Sequence, residues 1–378
     1  MNKYPTYKLG EICKISTGKW DANHATPNGR YRFYTCANVY SKCDTASYNG
    51  KCVIVPGNGD LGLLFYYDGE FDAYQRTYVL SEIKIDAKFL YYHMMYKWRS
   101  STEKLNYGST IKYVRITNFT SYEIEVPDKT TQHQIVSRIE SLFAELDKAV
   151  EHLRTAQQQL KTYRQAVLNH WLNNEDEKWE TVKLGEVAEK IQIGPFGTQL
   201  HKSDYIDGGT PLINPMHIYN KKILPDYSFS VSDEKYKELT NYYLEKDDVI
   251  LGRRGEMGRC AVVSEKEDGM LCGTGSLFIR GGKLLDATYL CHLLSSQKLV
   301  SYFENSSSGT TMSNLNQGII KNCEIPFPPL PEQQHIVKEI ETHLSQAEAA
   351  EARIAEALQK TESLRQSILK KAFSGELV

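Results

Sequence analysis

Few residues in this chain have the types and spacing that chemistry demands. An amino-methyltransferase would show (N/D)PP(Y/F) beside a glycine-rich loop. The nearest stretch, Asn214-Pro-Met-His217, lacks the second proline and the aromatic, and reads as a turn. Pro225-Asp226 with Asp233-Glu-Lys235 loosely resembles a nuclease carboxylate set. Those acids are too close in sequence to come from two adjacent strands, and Asp233 to Lys235 fall in an expected helix. No Walker loop is present, and Ser307-Ser-Gly309 has no nucleophile-elbow frame. The ten histidines and eight cysteines show no metal spacing and no C-x-x-C, so free thiols are expected. His133 and His335 sit at helix starts as solvated side chains, and His343 reads as a hydrogen-bonded interface histidine.

The remaining polar residues suit binding. Arg253-Arg254 follow an apolar run and begin a turn. An arginine fork matches the guanine O6/N7 edge or a phosphate, and the plainer alternative is an ion pair with Glu256 or Asp247. Tyr107-Gly-Ser-Thr-Ile-Lys-Tyr113 and Ser308-Gly-Thr-Thr-Met-Ser-Asn314 are small-hydroxyl loops at corresponding places. They offer Ser109, Thr110 and Lys112 in one, and Thr310, Thr311 and Asn314 in the other. Lys97, Arg99 and Lys104 interleave with Tyr91, Tyr92, Trp98 and Tyr107, a basic-aromatic pattern that in a tyrosine-rich domain is partly core. Lys202, Lys221 and Lys222 complete the basic candidates, the last two as loop residues whose plain reading is solubilising charge.

Composition sets limits on these readings. The 378 residues carry a net charge of −2, with 41% hydrophobic and 24% charged residues. That is an ordinary globular balance, with length for two or three domains. No apolar run approaches a membrane span, and the first residues are no signal peptide. A nucleic-acid surface must therefore be a local basic patch, because no whole-domain charge supplies it.

Two long segments must position the candidates, because the chain writes the same pattern twice. Gln132 to Leu172 and Gln333 to Phe373 align without a gap: Ile135 with Ile336, Ile139 with Ile340, Arg164-Gln165 with Arg365-Gln366, Leu168 with Leu369. The first copy carries Ile135, Ile139, Leu142, Leu146, Ala149, Leu153, Ala156, Leu160, Tyr163 and Val167 at heptad spacing. The second carries Ile336, Ile340, His343, Ala347, Ala350, Ile354, Ala357, Thr361, Leu364 and Ile368, a seam of smaller residues. Neither contains Gly or Pro, and Ile135 to Val167 spans roughly 50 Å of helix. Two such helices in one chain are expected to pack on each other.

The duplication extends beyond the helices. Tyr4 to Glu11 returns as Trp179 to Glu186, Cys52 to Gly62 as Asp248 to Gly258, Asp86 to Leu90 as Asp286 to Leu290, and Tyr107 to Thr110 as Ser308 to Thr311. Each half is thus expected to be a mixed α/β globule followed by a long helix. Val53 to Val55 and Val249 to Leu251 read as strands leading into Gly-x-x-Gly turns. Ala87 to Lys97, Ala287 to Leu294 and Ser232 to Leu244 read as helices, the last with Ser232 as N-cap. Ile325-Pro-Phe-Pro-Pro-Leu-Pro331 is a stiff lead into the second long helix. The expected parts are 1–128, the helix 129–173, 174–330 and the helix 331–378.

In this arrangement the chain resembles the DNA specificity subunits of type I restriction–modification systems. The resemblance rests on Val182-Lys-Leu-Gly-Glu-Val187, Ile191 to Leu200 followed by Lys202-Ser-Asp-Tyr205, Asp247 to Gly258, Gly309-Thr-Thr, Ile325 to Gln333 and Ala372 to Leu377, and covers the full chain twice. The first half departs from the pattern, with Val126-Pro-Asp128-Lys in place of the proline-rich lead and no double arginine in Cys52 to Leu61.

The resemblance implies two α/β target recognition domains, separated by a pair of long antiparallel coiled-coil helices with pseudo-twofold symmetry. Each domain would read one half of a split site in double-stranded DNA, and the spacer would set the gap at somewhat more than one duplex turn. The chain would do no chemistry and hold no cofactor. S-adenosylmethionine, ATP and Mg would belong to partners, namely two methyltransferase subunits and, in a cleaving assembly, two restriction subunits. A cytoplasmic location goes with this reading. The alternative from another class is a coiled-coil adaptor joining two protein-binding domains without DNA contact.

Overall fold

The computed structural model describes residues 4–102, 112–173, 179–306 and 314–377. Two long helices dominate it: a central helix, Lys129–Leu172, and a C-terminal helix, Leu330–Ser374. The chain divides into two compact units, Met1–Arg154 with Ala355–Val378, and Thr155–Ile354. The division cuts both long helices in mid-course.

The cores explain the cut. In the first unit Ile135, Val136, Ile139 and Phe143 of the central helix, with Leu369 and Ala372 of the C-terminal helix, join Leu9, Phe89, Trp98 and Phe119. In the second unit Val167, Leu168 and Leu172 with Ile336 and Ile340 join Leu184, Tyr289 and Phe303. Each helix therefore has one end rooted in each unit's hydrophobic core, and that burial rather than intrinsic propensity stabilises it.

Between the rooted ends the helices pair antiparallel. In the second unit Trp171 meets His335, Tyr163 Oη lies 2.7 Å from His343 Nδ1, and Arg164 Nη2 donates to Glu351 Oε2 at 2.8 Å. In the first, Arg365 pairs with Asp147 and lies over the Phe143 ring. Ile135, Ile139, Val167, Ile336, Ile340 and Ala347 are buried, while Leu142, Leu146, Leu153, Leu160, Ala350, Ile354 and Ile368 are half-buried. Leu364 departs from the heptad expectation. It is 49% exposed, and Arg365 turns inward to Asp147 in its place. Ala149 and Tyr163 are likewise exposed, and the helix face shifts by one residue to Val150 and Arg164.

Each globule is built on the same frame. In the first unit, strands Lys14–Thr17, Thr77–Ser81, Lys51–Pro56 and Phe65–Asp68 form an antiparallel sheet in that order. In the second, Lys190–Ile193, Ser276–Arg280, Asp248–Gly252 and Cys260–Val262 do the same. The apolar runs 53–55 and 249–251 are the fully buried central strands, as their lack of alternation suggested. A short strand closes each globule just before its long helix, Thr6–Lys8 on Glu123–Glu125 and Thr181–Lys183 on Glu324–Pro326.

A buried glutamine fastens each long helix to its globule. Gln132 Oε1 accepts the Asp86 N–H at 2.8 Å, and its Nε2 donates to the Pro127 carbonyl at 2.7 Å. Gln333 Oε1 accepts the Asp286 N–H at 2.8 Å, and its Nε2 donates to the Leu284 and Pro328 carbonyls. Asp86 and Asp286 in turn accept from Phe89 N and Tyr289 N in the first turn of the next helix. These domain helices are Ala87–Thr102 in the first unit and Ala287–Leu294 in the second. The Ser232 cap forms as expected, but its helix ends at Glu238 rather than near Leu244. Leu239 and Tyr242 are drawn into one separate core and Leu244 into another, where its backbone pairs with Met270.

Candidate nucleic-acid interface

The turns 57–62 and 253–258 stand at the end of equivalent central strands. In the first, Gly57 N donates to Arg76 O at 2.8 Å and Val114 N donates to Gly57 O at 2.9 Å. In the second, Arg253 N donates to Gly275 O at 2.9 Å and Leu315 N donates to Arg253 O at 3.0 Å. The same two bonds thus hold each turn between a neighbouring strand and the segment after the hydroxyl-rich loop. Gly59 and Gly255 sit at φ +83° and +80°, where a side chain would be strained.

The side chains on this shared frame differ. Arg253, the first of the double arginine, is only 9% exposed, and its Nε donates to the Leu315 carbonyl at 2.8 Å. Burial, with Arg254 beside it, pushes its guanidinium below the usual arginine range. Arg253 therefore braces the turn. Arg254 is exposed at its tip. Neither makes the ion pair with Glu256 or Asp247 weighed from sequence. Glu256 is bound instead by Arg259, at 2.5 Å.

In the first unit Gly57 and Asn58 occupy the places of the two arginines. Asn58, Gln75, Arg76, Tyr113 and Thr17 line a recess of about 390 Å³. Asn58, Gln75 and Arg76 escaped sequence reasoning because single polar residues in short turns carry no periodic signal. Asn and Gln can pair in a bidentate manner with adenine, and Arg with guanine. A smaller recess beside it is lined by Gly59, Asp60, Leu61, Gly62, Arg99, Thr102 and Lys112. There Arg99 Nη2 donates to Asp60 Oδ1 at 2.9 Å. Both partners are largely exposed, so this bond adds little stability. Lys97 is exposed on the same helix and lies over Tyr96.

The other basic candidates scatter over the second unit. Lys202 is exposed in the short turn Lys202–Asp204, and Lys222 in the strand Lys222–Ile223. Lys221, with φ +58°, directs its ammonium to His292 Nδ1 at 2.6 Å. Burial, then that ammonium, depresses His292 to about 3, so the ring accepts as the neutral imidazole. Asn314 is half-buried, with an Oδ1 that has no hydrogen-bond partner. Lys104, Ser109, Thr110, Thr310 and Thr311 lie outside the described residues.

Among the described residues, no helix is long and apolar enough to cross a membrane. Asn214-Pro-Met-His217 is a short helical turn, as read. Asn214 Oδ1 accepts from Gly275 N at 3.1 Å, and the His217 ring is buried.

Comparison with known proteins accounts for the doubled frame. The family model described as the type I restriction modification DNA specificity domain matches residues 1–153 and again 176–360. The specificity subunit of the Escherichia coli type I restriction enzyme EcoDI is 29% identical over 399 residues, spanning 99% of this chain and 88% of that protein. The corresponding EcoBI subunit is 25% identical over 79% of this chain and 67% of that one. The HsdS subunit from Thermoanaerobacter tengcongensis shares the fold, with a TM-score of 0.63 at 19% identity, covering 99% of this chain and 97% of that chain. A chain from a structure on complex assembly and conformational transition of a type I R-M system superposes with a TM-score of 0.72 at 18% identity over 100% of both chains. The chain belongs to the type I restriction–modification DNA specificity subunits, non-catalytic DNA-recognition proteins with two copies of the specificity domain.

Proposed function

We propose that each unit of this chain reads one half of a split site in double-stranded DNA, and that the chain carries the catalytic subunits of its complex. The observation that carries this reading is the doubled turn. Identical backbone hydrogen bonds present different side chains, which is what reading two different half-sites requires. In the first unit the reading residues are Asn58, Gln75 and Arg76, with Lys97, Arg99 and Lys112 on neighbouring surfaces. In the second unit Arg254 leads, with Lys202 and Lys222 as phosphate contacts. Lys221 is left out, since its ammonium is used on His292.

Two methyltransferase subunits and, in a cleaving assembly, two restriction subunits complete the complex. S-adenosylmethionine, ATP and Mg act on those partners, and the methylated base is flipped out of the duplex to be reached. The adaptor alternative has no observation in its favour. The deciding experiment is methylation mapping in cells that express this chain with its methyltransferase. A split motif that depends on this chain supports the proposal. Methylation without sequence preference sinks it.

A further inference from the structure

The first unit gathers three metal-ligating side chains that its sequence keeps far apart. His24, Cys43 and Asp72 place a ring nitrogen, a sulfur and a carboxylate oxygen all within 4.8 Å of one another. His24 ends the short turn Ala22–His24, Cys43 ends the strand Ser41–Cys43, and Asp72 is the middle residue of the strand Phe71–Ala73. Tyr31–Tyr34 pairs with both strands and brings them together. The loop carrying His24 is bound down by Thr26 N donating to Lys42 O at 2.8 Å.

The surroundings orient the donors. Trp20 stacks on the His24 ring at 4.1 Å, and Phe33 meets it edge-on. This aims Nε2 inward, to 3.8 Å from Asp72 Oδ2. Thr45 Oγ1 bridges the two, 2.7 Å from Nε2 and 2.6 Å from Oδ2. Asp72 is 0% exposed, yet its Oδ1 has no hydrogen-bond partner. Burying a carboxylate with one oxygen unsatisfied is costly unless a cation compensates it. The Cys43 thiol is also fully buried. A carboxylate, a thiol and an imidazole converging at one largely buried point are a poor core and a good ligand set.

We propose that His24, Cys43 and Asp72 bind one zinc ion, which fastens the His24 loop and the 41–43 strand onto the 71–73 strand. One sulfur, one nitrogen and one oxygen donor suit zinc, whereas calcium and magnesium require oxygen ligands. On binding, Cys43 releases its thiol proton to solvent as the zinc–sulfur bond forms. The thiolate and the Asp72 carboxylate then neutralise the dication. The Thr45 hydroxyl rotates away from its bridging position, and water takes the fourth site through the partly open His24 side. The ion is structural, in the sheet beside the Asn58–Gln75–Arg76 recess.

The test uses the full chain, stripped with a chelator and titrated with cobalt(II) alone and then with zinc(II). Cobalt is expected to bind one per chain, with a sulfur-to-metal charge-transfer absorption that zinc abolishes. Cys36→Ser, which removes the more exposed thiol, keeps the absorption. Cys43→Ser loses it. His24→Ala weakens zinc binding at least tenfold, and Thr45→Val, which removes the bridging hydroxyl but no donor, retains it. Absence of the absorption in the unaltered chain, which needs no variant to fold, overturns the proposal. So does its persistence in Cys43→Ser, or its loss in Cys36→Ser.

Discussion

The turn at 57–62 and the turn at 253–258 hang from the same two hydrogen bonds and carry opposite chemistry. One offers a glycine and an asparagine. The other offers two arginines, of which one faces inward. A double arginine reads as a pair of reading residues in the sequence. In the structure only Arg254 faces solvent. Arg253 fills a place that needs no side chain in the first unit, and it spends its Nε on the carbonyl of Leu315. Frame and exposed side chains are separable, and in the proposed reading the residues off the frame specify DNA.

The same separation appears deeper in the two sheets. At Asp248 and Arg280 the second unit has a buried, two-pronged ion pair, with Nε to Oδ1 and Nη2 to Oδ2 both at 2.8 Å, and Glu245 accepts from Nη1. The corresponding residues of the first unit are Cys52 and Ser81. Among single substitutions read at neutral pH, breaking the pair gives the largest expected effect. Arg280→Ala strands the Asp248 carboxylate and should destabilise the second unit by about 3 kcal/mol. Denaturant unfolding with hydrogen exchange resolved by residue checks this. Protection should fall in 179–306 and hold in 4–102, and equal loss in both would dissolve the contrast.

Acid should weaken both units, for related reasons. His93 is buried against the Tyr122 hydroxyl and depressed by burial to about 3. His292 is depressed to about 3 by burial and by Lys221. In the unfolded chain each titrates near 6.5. Both are therefore neutral in the fold, and their contribution is intact above pH 6.5 and is lost as pH falls from there towards about 3. Each unit of pKa separation corresponds to about 1.4 kcal/mol. Stability followed against pH should show this decline. His93→Gln should remove the part belonging to the first unit and leave the part belonging to the second.

The two arginines should separate cleanly. Arg253→Ala leaves the Leu315 carbonyl without its side-chain donor and should cost about 1–3 kcal/mol of stability. Arg254→Ala should leave thermal stability unchanged within about 0.5 kcal/mol, and relax base preference by about 1–3 kcal/mol at one position. Thermal unfolding and binding to a panel of duplexes, each at fixed salt, measure the two effects. If Arg253→Ala changes base preference without changing stability, the assignment of Arg253 to the frame fails.

Much of this organisation was legible in the sequence, because long elements and duplications leave periodic traces. The two helices, the buried strands 53–55 and 249–251 and the Ser232 cap all follow from spacing and residue type. Leu364 was misplaced because a heptad count ignores where the opposite helix puts its partner, and here Asp147 draws Arg365 inward instead. The bound of the Ser232 helix was lost to tertiary burial of Leu239, Tyr242 and Leu244, which overrides helical propensity. The site was less legible than the fold. Asn58 meets the adjacent pair Gln75-Arg76 only in three dimensions, and His24, Cys43 and Asp72 likewise come together from three separate segments.

The proposed reading of two half-sites by two separate units of one chain can be checked in cells. It is tested most directly by mapping methylation across a genome in cells expressing the methyltransferase with this chain, and again with Arg254→Ala. The expected result is a motif in two parts divided by unread bases, with Arg254→Ala relaxing one part and leaving the other unchanged. An undivided motif, or the same loosening in both parts, would contradict it.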